Sequence, residues 1–469
     1  MNTAPTTREK VLRINVDSAK HGTFAEIGAG QEVARWFFHV GGAAGTVAKS
    51  ISAYDMAVSD ALYGHTDRYV SRERLTAMLT QEFDAVVRQL EGHRPAETSF
   101  FAFADTMATR SFSRHADGHG WMGVRFQHRA GSPPSDVMLH VFMCDTENVR
   151  EQEAIGRLGV NLLHGALYAW ERPEELIGEL MDGLASGRIE IDFIRMSGPA
   201  FDDVDNRLML LQLLVREYTG AVMFARGGEV LQPSDALYKR PVIVERGNFR
   251  PVTTIAIDLL EAARREFGTH TDGESLVLLE MTLRNLLHDG AVDHTDFLSR
   301  VDVLGVLGYT VMISRFGTYH ALATYLRRHT TAPIGFALGI PVLRELFDPK
   351  YYRDLEGGIL EGFGRLFGGN TTAYVYPSRE GKSGKRVTLN DLVVDPSVRD
   401  LYAYLCRNER MVSVEGVDES RLHVQPGDVL AQLQAGDHEW EKMVPEAAVD
   451  LIRKQHLFGV DAPPGKSSR

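Results

Sequence analysis

Three side chains able to bind a metal fall within five residues at His115, Asp117 and His119. Imidazole and carboxylate together suit Zn²⁺, Fe²⁺ or Mn²⁺, and Gly118 and Gly120 let the backbone bend around an ion. The same Asp-Gly pair also makes an ordinary polar turn. A metal centre here would draw a further ligand from elsewhere in the chain. His115, Asp117 and His119 are therefore candidate ligands for a divalent metal, or acid/base groups.

A second candidate is Ser314-Arg315-Phe316-Gly317-Thr318, which links a predicted strand to a predicted helix. Leu338-Gly339-Ile340-Pro341 does the same one unit later. In open parallel sheets, ligands bind outside the carboxyl ends of the strands, and helix N-termini offer free N–H groups to anions. Ser314, Arg315 and Thr318 are thus candidate holders of a phosphate or carboxylate. Helix capping by Thr318 and a surface Arg315 is the plainer reading. Lys239 and Arg240, with Arg246, Arg250 and Asp235 nearby, form a basic cluster. It could face that anion, or make salt bridges between domains.

Other patterns carry less. Glu26-Ile27-Gly28-Ala29-Gly30 is similar to the first glycine motif of Rossmann-like methyltransferases, but Val33 stands where a dinucleotide fingerprint has its third glycine. A glycine turn into a helix accounts for it. The run Gly41 to Ser50 ends in Lys-Ser, yet Ala48 replaces the glycine that a P-loop needs before its lysine. The segment Phe101–Thr109 is similar to the first motif of haloacid-dehalogenase-like phosphatases around Asp105. Met107 stands where the second aspartate, the general acid/base, would be. Asp202, Asp203 and Asp205 precede a predicted helix, where carboxylates favour its dipole.

The elements that must position these groups follow from pattern. Residues 11–16 read as a short strand, and Gln31 to Leu62 as helix broken by Gly41, Gly42 and Gly45. Leu75, Met78, Leu79, Phe83, Val86 and Leu90 recur at helical spacing over 71–90. Strands at 99–113, 120–128 and 137–144 make an antiparallel meander. Helices fit 147–170 and 173–185. A strand at 189–195, a helix at 205–217 and a strand at 221–225 then read as β-α-β. Beyond the Gly-, Pro- and Arg-rich junction 227–253, helices are predicted at 253–266, 274–288 and 294–306. Strand 310–314, helix 318–328, strand 333–338 and helix 341–347 follow, then a helix near 352–367 and a strand at 372–376. Such alternation argues for a parallel sheet covered on both faces.

Composition sets the outer bounds. The chain has 469 residues, 44% hydrophobic and 24% charged, which suits a folded protein of two or three packed units. Its formal net charge of -12 argues against a nucleic-acid partner. Cys144 and Cys406 are too few for a disulfide framework and fit a reducing cytosol. The N-terminus lacks the apolar core of a signal peptide, and no apolar run reaches the roughly 18 residues of a membrane helix.

Most of the chain resembles a family of bacterial proteins of similar length. The resemblance rests on residues 21–55 (HGTFAEIGAGQEVARWFFHVGGAAGTVAKSISAYD), 114–123 (RHADGHGWMG), 227–253 and 294–316. Members of that family are labelled either TonB-dependent receptor or nicotinate-nucleotide adenylyltransferase. The first label implies an exported barrel of alternating lipid-facing strands, which the sequence pattern does not show. The second implies an [HT]-x-G-H phosphate-holding motif, to which Ala116-Asp117-Gly118-His119 is the nearest match.

The expected architecture is α/β. An N-terminal α+β domain with the antiparallel meander would span 1–226, and a Rossmann-like parallel-sheet domain 227–386. A small α+β appendage with a disordered tail would span 387–469. The expected function is that of a cytoplasmic enzyme binding a phosphorylated or carboxylated small molecule in an interdomain cleft. The alternative is a non-catalytic, self-assembling scaffold. Abundant apolar helices lead to the expectation of a homo-oligomer. The sequence names no substrate, reaction type or cofactor beyond the divalent metal.

Overall fold

The computed structural model describes residues 4–109, 118–271, 273–380 and 384–460. Contacts divide the chain into two units, Met1–Thr219 and Gly220–Arg469. Each is α/β.

The first unit begins with α1 (Thr7–Val16) where the hydrophobic pattern suggests a strand. The reason is local: Thr6 and Glu9 form a capping box, each side chain bonding the other's backbone N–H. Next come β1 (Lys20–Ile27), α2 (Glu32–Val40), β2 (Val47–Ile51), α3 (Met56–Tyr63) and α4 (Arg72–Leu90). The helical stretch expected over 31–62, broken at Gly41, Gly42 and Gly45, therefore also contains a strand after that break. Gly41 and Gly42 adopt φ of 88° and 84°, which ends α2. The rest is β3 (Ser99–Ala108), β4 (Gly118–Phe126), β5 (Ser135–Met143), α5 (Asn148–Tyr168), α6 (Pro173–Glu179), β6 (Ile189–Ser197) and α7 (Asn206–Val215).

These strands form one sheet in the order β2-β1-β3-β4-β5-β6. β1 runs parallel to both β2 and β3. β3 through β6 form the antiparallel meander, with β6 added as its fourth strand. Leu75, Met78, Leu79, Phe83 and Val86 of α4 are buried, and α4 packs on β3, β4 and β1. Asp205 caps α7 by accepting from the Arg207 N–H at 2.9 Å, so it serves the helix end.

The second unit opens with β7 (Ala221–Phe224), β8 (Val230–Leu231), α8 (Pro233–Leu237), β9 (Val242–Arg246), α9 (Thr254–Thr269) and β10 (Leu276–Thr282). β11 (Leu287–His288), β12 (Ala291–Val292), α10 (His294–Val306), β13 (Thr310–Ser314), α11 (Tyr319–His329), β14 (Ile334–Gly339) and α12 (Ile340–Leu346) follow. The chain continues through α13 (Gly358–Leu366), β15 (Thr371–Tyr376), β16 (Ser378–Glu380), β17 (Lys385–Val387), α14 (Arg399–Arg407), β18 (Met411–Ser413), α15 (Pro426–Ala435) and α16 (Glu446–Gln455).

The large sheet has the order β18-β15-β14-β9-β10-β13-β7-β8. Its parallel strands are β9, β10, β13, β14, β15 and β18. Numbered one to six along the chain, they stand in the order 3-2-1-4-5-6, the doubly wound arrangement of dinucleotide folds. Two strands were hidden in the sequence pattern. Residues 276–282 form β10 rather than part of a helix, because a central strand is buried on both faces and loses its alternation. Residues 242–246 form β9 inside the expected junction for the same reason. The expected β-α-β over 189–225 also divides. Its first strand is β6 in the first sheet, and its last is β7, antiparallel to β13 in the second. Residues past 387 add β18 to the edge of that sheet. No helix among the described residues is long and apolar enough to cross a membrane.

Candidate functional site

In a doubly wound sheet, the chain leaves the first strand toward one edge and later returns to build the other. The crevice opens where these two directions part. Here that point lies between β9 and β14, which pair in parallel from Ile334 beside Val242 to Ala337 beside Glu245. A cavity of about 320 Å³ opens at the carboxyl ends of the strands. Gly247 and Asn248 follow β9, and Asn285 follows β10. Gly317 and Thr318 follow β13 and lead into Tyr319 and His320 of α11. The far wall is Glu345 of α12 with Tyr351 and Tyr352.

Arg246 ends β9 and anchors this crevice. Its Nε donates to the fully buried Glu280 at 2.5 Å, and its Nη2 donates to the same carboxylate at 3.1 Å. Nη2 also donates to the Phe316 carbonyl at 2.8 Å, and the guanidinium lies 4.8 Å from the Tyr319 ring centroid. One side chain therefore ties the end of β9 to β10 and to the turn after β13. Arg300 performs a similar task for the other loops, donating to the carbonyls of Asn248 and Asn285 at 3.0 Å each. Asp296 pairs with both Arg300 and Arg250.

The cavity's own polar groups are short and oriented. Thr318 and His320 share a hydrogen bond at 3.0 Å between Oγ1 and Nε2. Nδ1 of His320 is buried and meets no hydrogen-bonding partner among the described residues. Burial, followed by the charge of Arg365, holds the His320 pKa below its ordinary value, so the ring is neutral at pH 7. No side chain caps the N-terminus of α11. On the opposite side of β9, Glu245 is buried and its carboxyl pKa is pushed well up by burial.

The residues singled out from sequence distribute unevenly. Thr318 lines the cavity. Ser314 is buried beneath it and is used structurally: its hydroxyl donates to Glu280 at 2.5 Å and accepts from the Phe316 N–H at 3.1 Å. Arg315 is exposed and is not part of the lining. Lys239 and Arg240 lie in the turn that enters β9, at the amino end of the sheet, so the structure does not bring them to Thr318. Strand direction is the reason: a cluster just before a strand and residues just after its parallel neighbours sit at opposite ends. Arg246, a member of the basic cluster read from sequence, does line the cavity; Asn248, Asn285, His320 and Glu280 were not found from sequence. Recognising Val242–Arg246 as a strand would have exposed Arg246-Gly247-Asn248 as a strand-end turn.

His115 and Asp117 lie outside the described residues. His119 is on β4, where its Nδ1 stands 3.2 Å from Nε2 of His140. Among the described residues, no group of three or more His, Cys, Asp or Glu side chains is arranged to hold a metal.

The glycine motif of the first unit is also placed. Gly28 and Gly30 link β1 to α2 with φ of 102° and 84°. A Cβ on Gly28 would stand 1.8 Å from the Met107 carbonyl oxygen. The N–H groups of Val33 and Ala34 donate to the buried Glu26 carboxylate at 2.9 and 2.8 Å. A phosphate would need those donors, so this turn is a helix cap made by the protein itself.

No protein-family model matches the chain. No curated protein matches it either. Solved structures give partial likenesses. The competence/damage inducible protein CihA from Agrobacterium tumefaciens is 17% identical and covers 35% of this chain and 97% of its own, at a TM-score of 0.25. A competence-damaged protein (CinA) superfamily member from Enterobacter cloacae is 12% identical, covering 36% and 95%, at 0.26. Nicotinic acid mononucleotide adenylyltransferase of Plasmodium falciparum, complexed with APC, is 12% identical, covering 47% and 98%, at 0.29. At such scores none of these likenesses bears on activity.

Proposed function

We propose that the second unit binds a phosphorylated small molecule with a planar ring, of nucleotide type, in the cavity outside β9, β10, β13 and β14. The observation that carries this reading is the position of the cavity at the switch point of a 3-2-1-4-5-6 sheet. A phosphate has uncapped N–H groups at the start of α11 and the small turns at Gly247 and Gly317 to approach. Arg246 is neutralised by Glu280, so the anion is received by backbone dipoles rather than by a free cation. A planar ring has Tyr351, Tyr352 and the neutral His320 beside it, and the amides of Asn248 and Asn285 as hydrogen-bonding partners.

Calorimetric titration with a nucleoside monophosphate, its parent nucleoside and inorganic phosphate tests this. The monophosphate is expected to bind at least tenfold more tightly than either part. His320→Ala and Asn285→Ala are each expected to weaken it about tenfold, the equivalent of about 1.4 kcal/mol. No binding of the monophosphate, or affinity unchanged in both variants, would remove the cavity from consideration.

A further inference from the structure

The cavity outside β9, β10, β13 and β14 carries its uncompensated charge on one wall. Arg246 is the cation of its lining and is engaged by Glu280. His320 is neutral, with burial as the first cause. Glu345 on α12 is exposed, and no side chain among the described residues pairs with its carboxylate. Its charge is felt inside the cavity. Burial pushes the hydroxyl pKa of Tyr319 up, Arg246 pulls it back, and the carboxylates of Glu280, Glu245 and Glu345 push it further. Tyr319 and Glu345 line the same space. The turns after β9 and β10 add Asn248 and Asn285. Their backbone carbonyls are held by Arg300, while their side-chain amides meet no partner among the described residues.

From this polarity we infer that the cavity selects a guanine nucleotide, with Glu345 accepting from N1–H and the 2-amino group of the base. The inference rests on the reading of the cavity as a nucleotide site. A carboxylate only accepts hydrogen bonds, and its two oxygens receive two parallel donors. Among the common bases, guanine alone presents two adjacent donors on one edge. Adenine and cytosine set an amino donor beside a ring nitrogen whose lone pair would face the carboxylate. Uracil and thymine flank a single N–H with two carbonyls. The other edge of guanine asks for donors at O6 and N7, and the amide NH2 groups of Asn248 and Asn285 are the donors available. Tyr351 and Tyr352, on the same wall as Glu345, offer the ring an aromatic surface. The charge of Glu345 also orients the ligand. It repels a phosphate, whereas the uncapped start of α11 attracts one, so the phosphate lies at α11 and the base toward Glu345. The 2′,3′-diol of a ribose also presents two donors and is the competing outcome of the test.

The experiment is calorimetric titration of the full chain with the 5′-monophosphates of guanosine, inosine, adenosine and 2′-deoxyguanosine. The guanosine compound is expected to bind about tenfold more tightly than the inosine compound, which lacks the 2-amino donor, and about a hundredfold more tightly than the adenosine compound. The 2′-deoxy compound should bind nearly as well as its ribose parent. Glu345→Gln changes an exposed side chain at constant size, so the fold is kept. Its amide would meet the 2-amino group of guanine donor to donor, but would pair with the amino group and N1 of adenine. The preference should therefore invert toward the adenosine compound, whereas a purely structural role for Glu345 would lower all four affinities together. A guanine preference that survives Glu345→Gln, or equal binding of the three ribose compounds to the wild-type chain, would overturn the assignment and leave the nucleotide reading in place. So would a weak 2′-deoxy compound with no preference among the bases, which would move Glu345 to the ribose. Failure of all four to bind would overturn the nucleotide reading and this inference with it.

Discussion

Arg246→Met is expected to destabilise the second unit by about 3–5 kcal/mol, the cost of leaving a buried carboxylate without its cation. Glu280 is 0% exposed and receives both Arg246 and Ser314. Methionine keeps much of the apolar stem over Tyr319 and removes only the charge and its hydrogen bonds. Urea denaturation of the variant measures the loss. The double change Arg246→Met with Glu280→Leu should recover most of it, because the pair is then replaced by apolar groups rather than broken. A single variant as stable as wild type would mean that Glu280 is satisfied without Arg246. The same variant should lose nucleotide binding, since Arg246 also holds the Phe316 carbonyl and with it the turn that enters α11.

The second large effect is on pH. Glu26 and Asp105 stand opposite each other on β1 and β3, and each is 1% exposed. Burial, partly opposed by the two α2 N–H groups and reinforced by the charge of Glu32, pushes the Glu26 carboxyl from its ordinary 4.5 up to about 7. Asp105 is pushed well above the usual carboxylate range by burial first and by the charge of Glu26 second. Asp105 accepts from the Ile27 N–H at 3.2 Å through one oxygen, while the other has no partner among the described residues. That second oxygen is where a proton is best held.

Carboxyl groups whose folded pKa is raised stabilise the fold in their protonated form. Their contribution is therefore complete below pH 4.5 and is lost as the pH rises through about 7. For Glu26 alone this amounts to roughly 3 kcal/mol. Melting of the first unit is expected at higher temperature at pH 5 than at pH 8. Asp105→Asn, which removes the like charge and supplies a permanent donor, should raise stability at pH 8 and flatten the slope. A slope identical to wild type in that variant would assign the pH dependence elsewhere. Glu245, buried in the second unit, acts in the same direction.

Local signals alone placed several elements. The alternation that becomes β13, α11, β14 and α12 was legible because strands and helices of this length carry their own hydrophobic period. So was the antiparallel meander, through its alternating apolar residues and short turns. The capping box at Thr6 and Glu9 was also present in the sequence, and it outweighed the strand-like run Val11 to Val16. Where a strand is buried on both faces, as β9 and β10 are, the period disappears and the local signal goes with it.

What the sequence by itself determined is therefore the α/β class, the meander, and the turn after β13 in which Thr318 stands. Strand order was decided by the tertiary structure, and with it the location of the cavity beside Arg246 and the exclusion of Lys239 and Arg240 from it. So was the partner of His119, which lies 21 residues away on β5, and the Asp192 carboxylate bonded to that partner, which lies 52 residues further along and is aimed by a bulge. The physical reason is common to all of these. Local pattern records which face of an element is buried, whereas side chains far apart in sequence meet only through the register and direction of strands that the whole core sets.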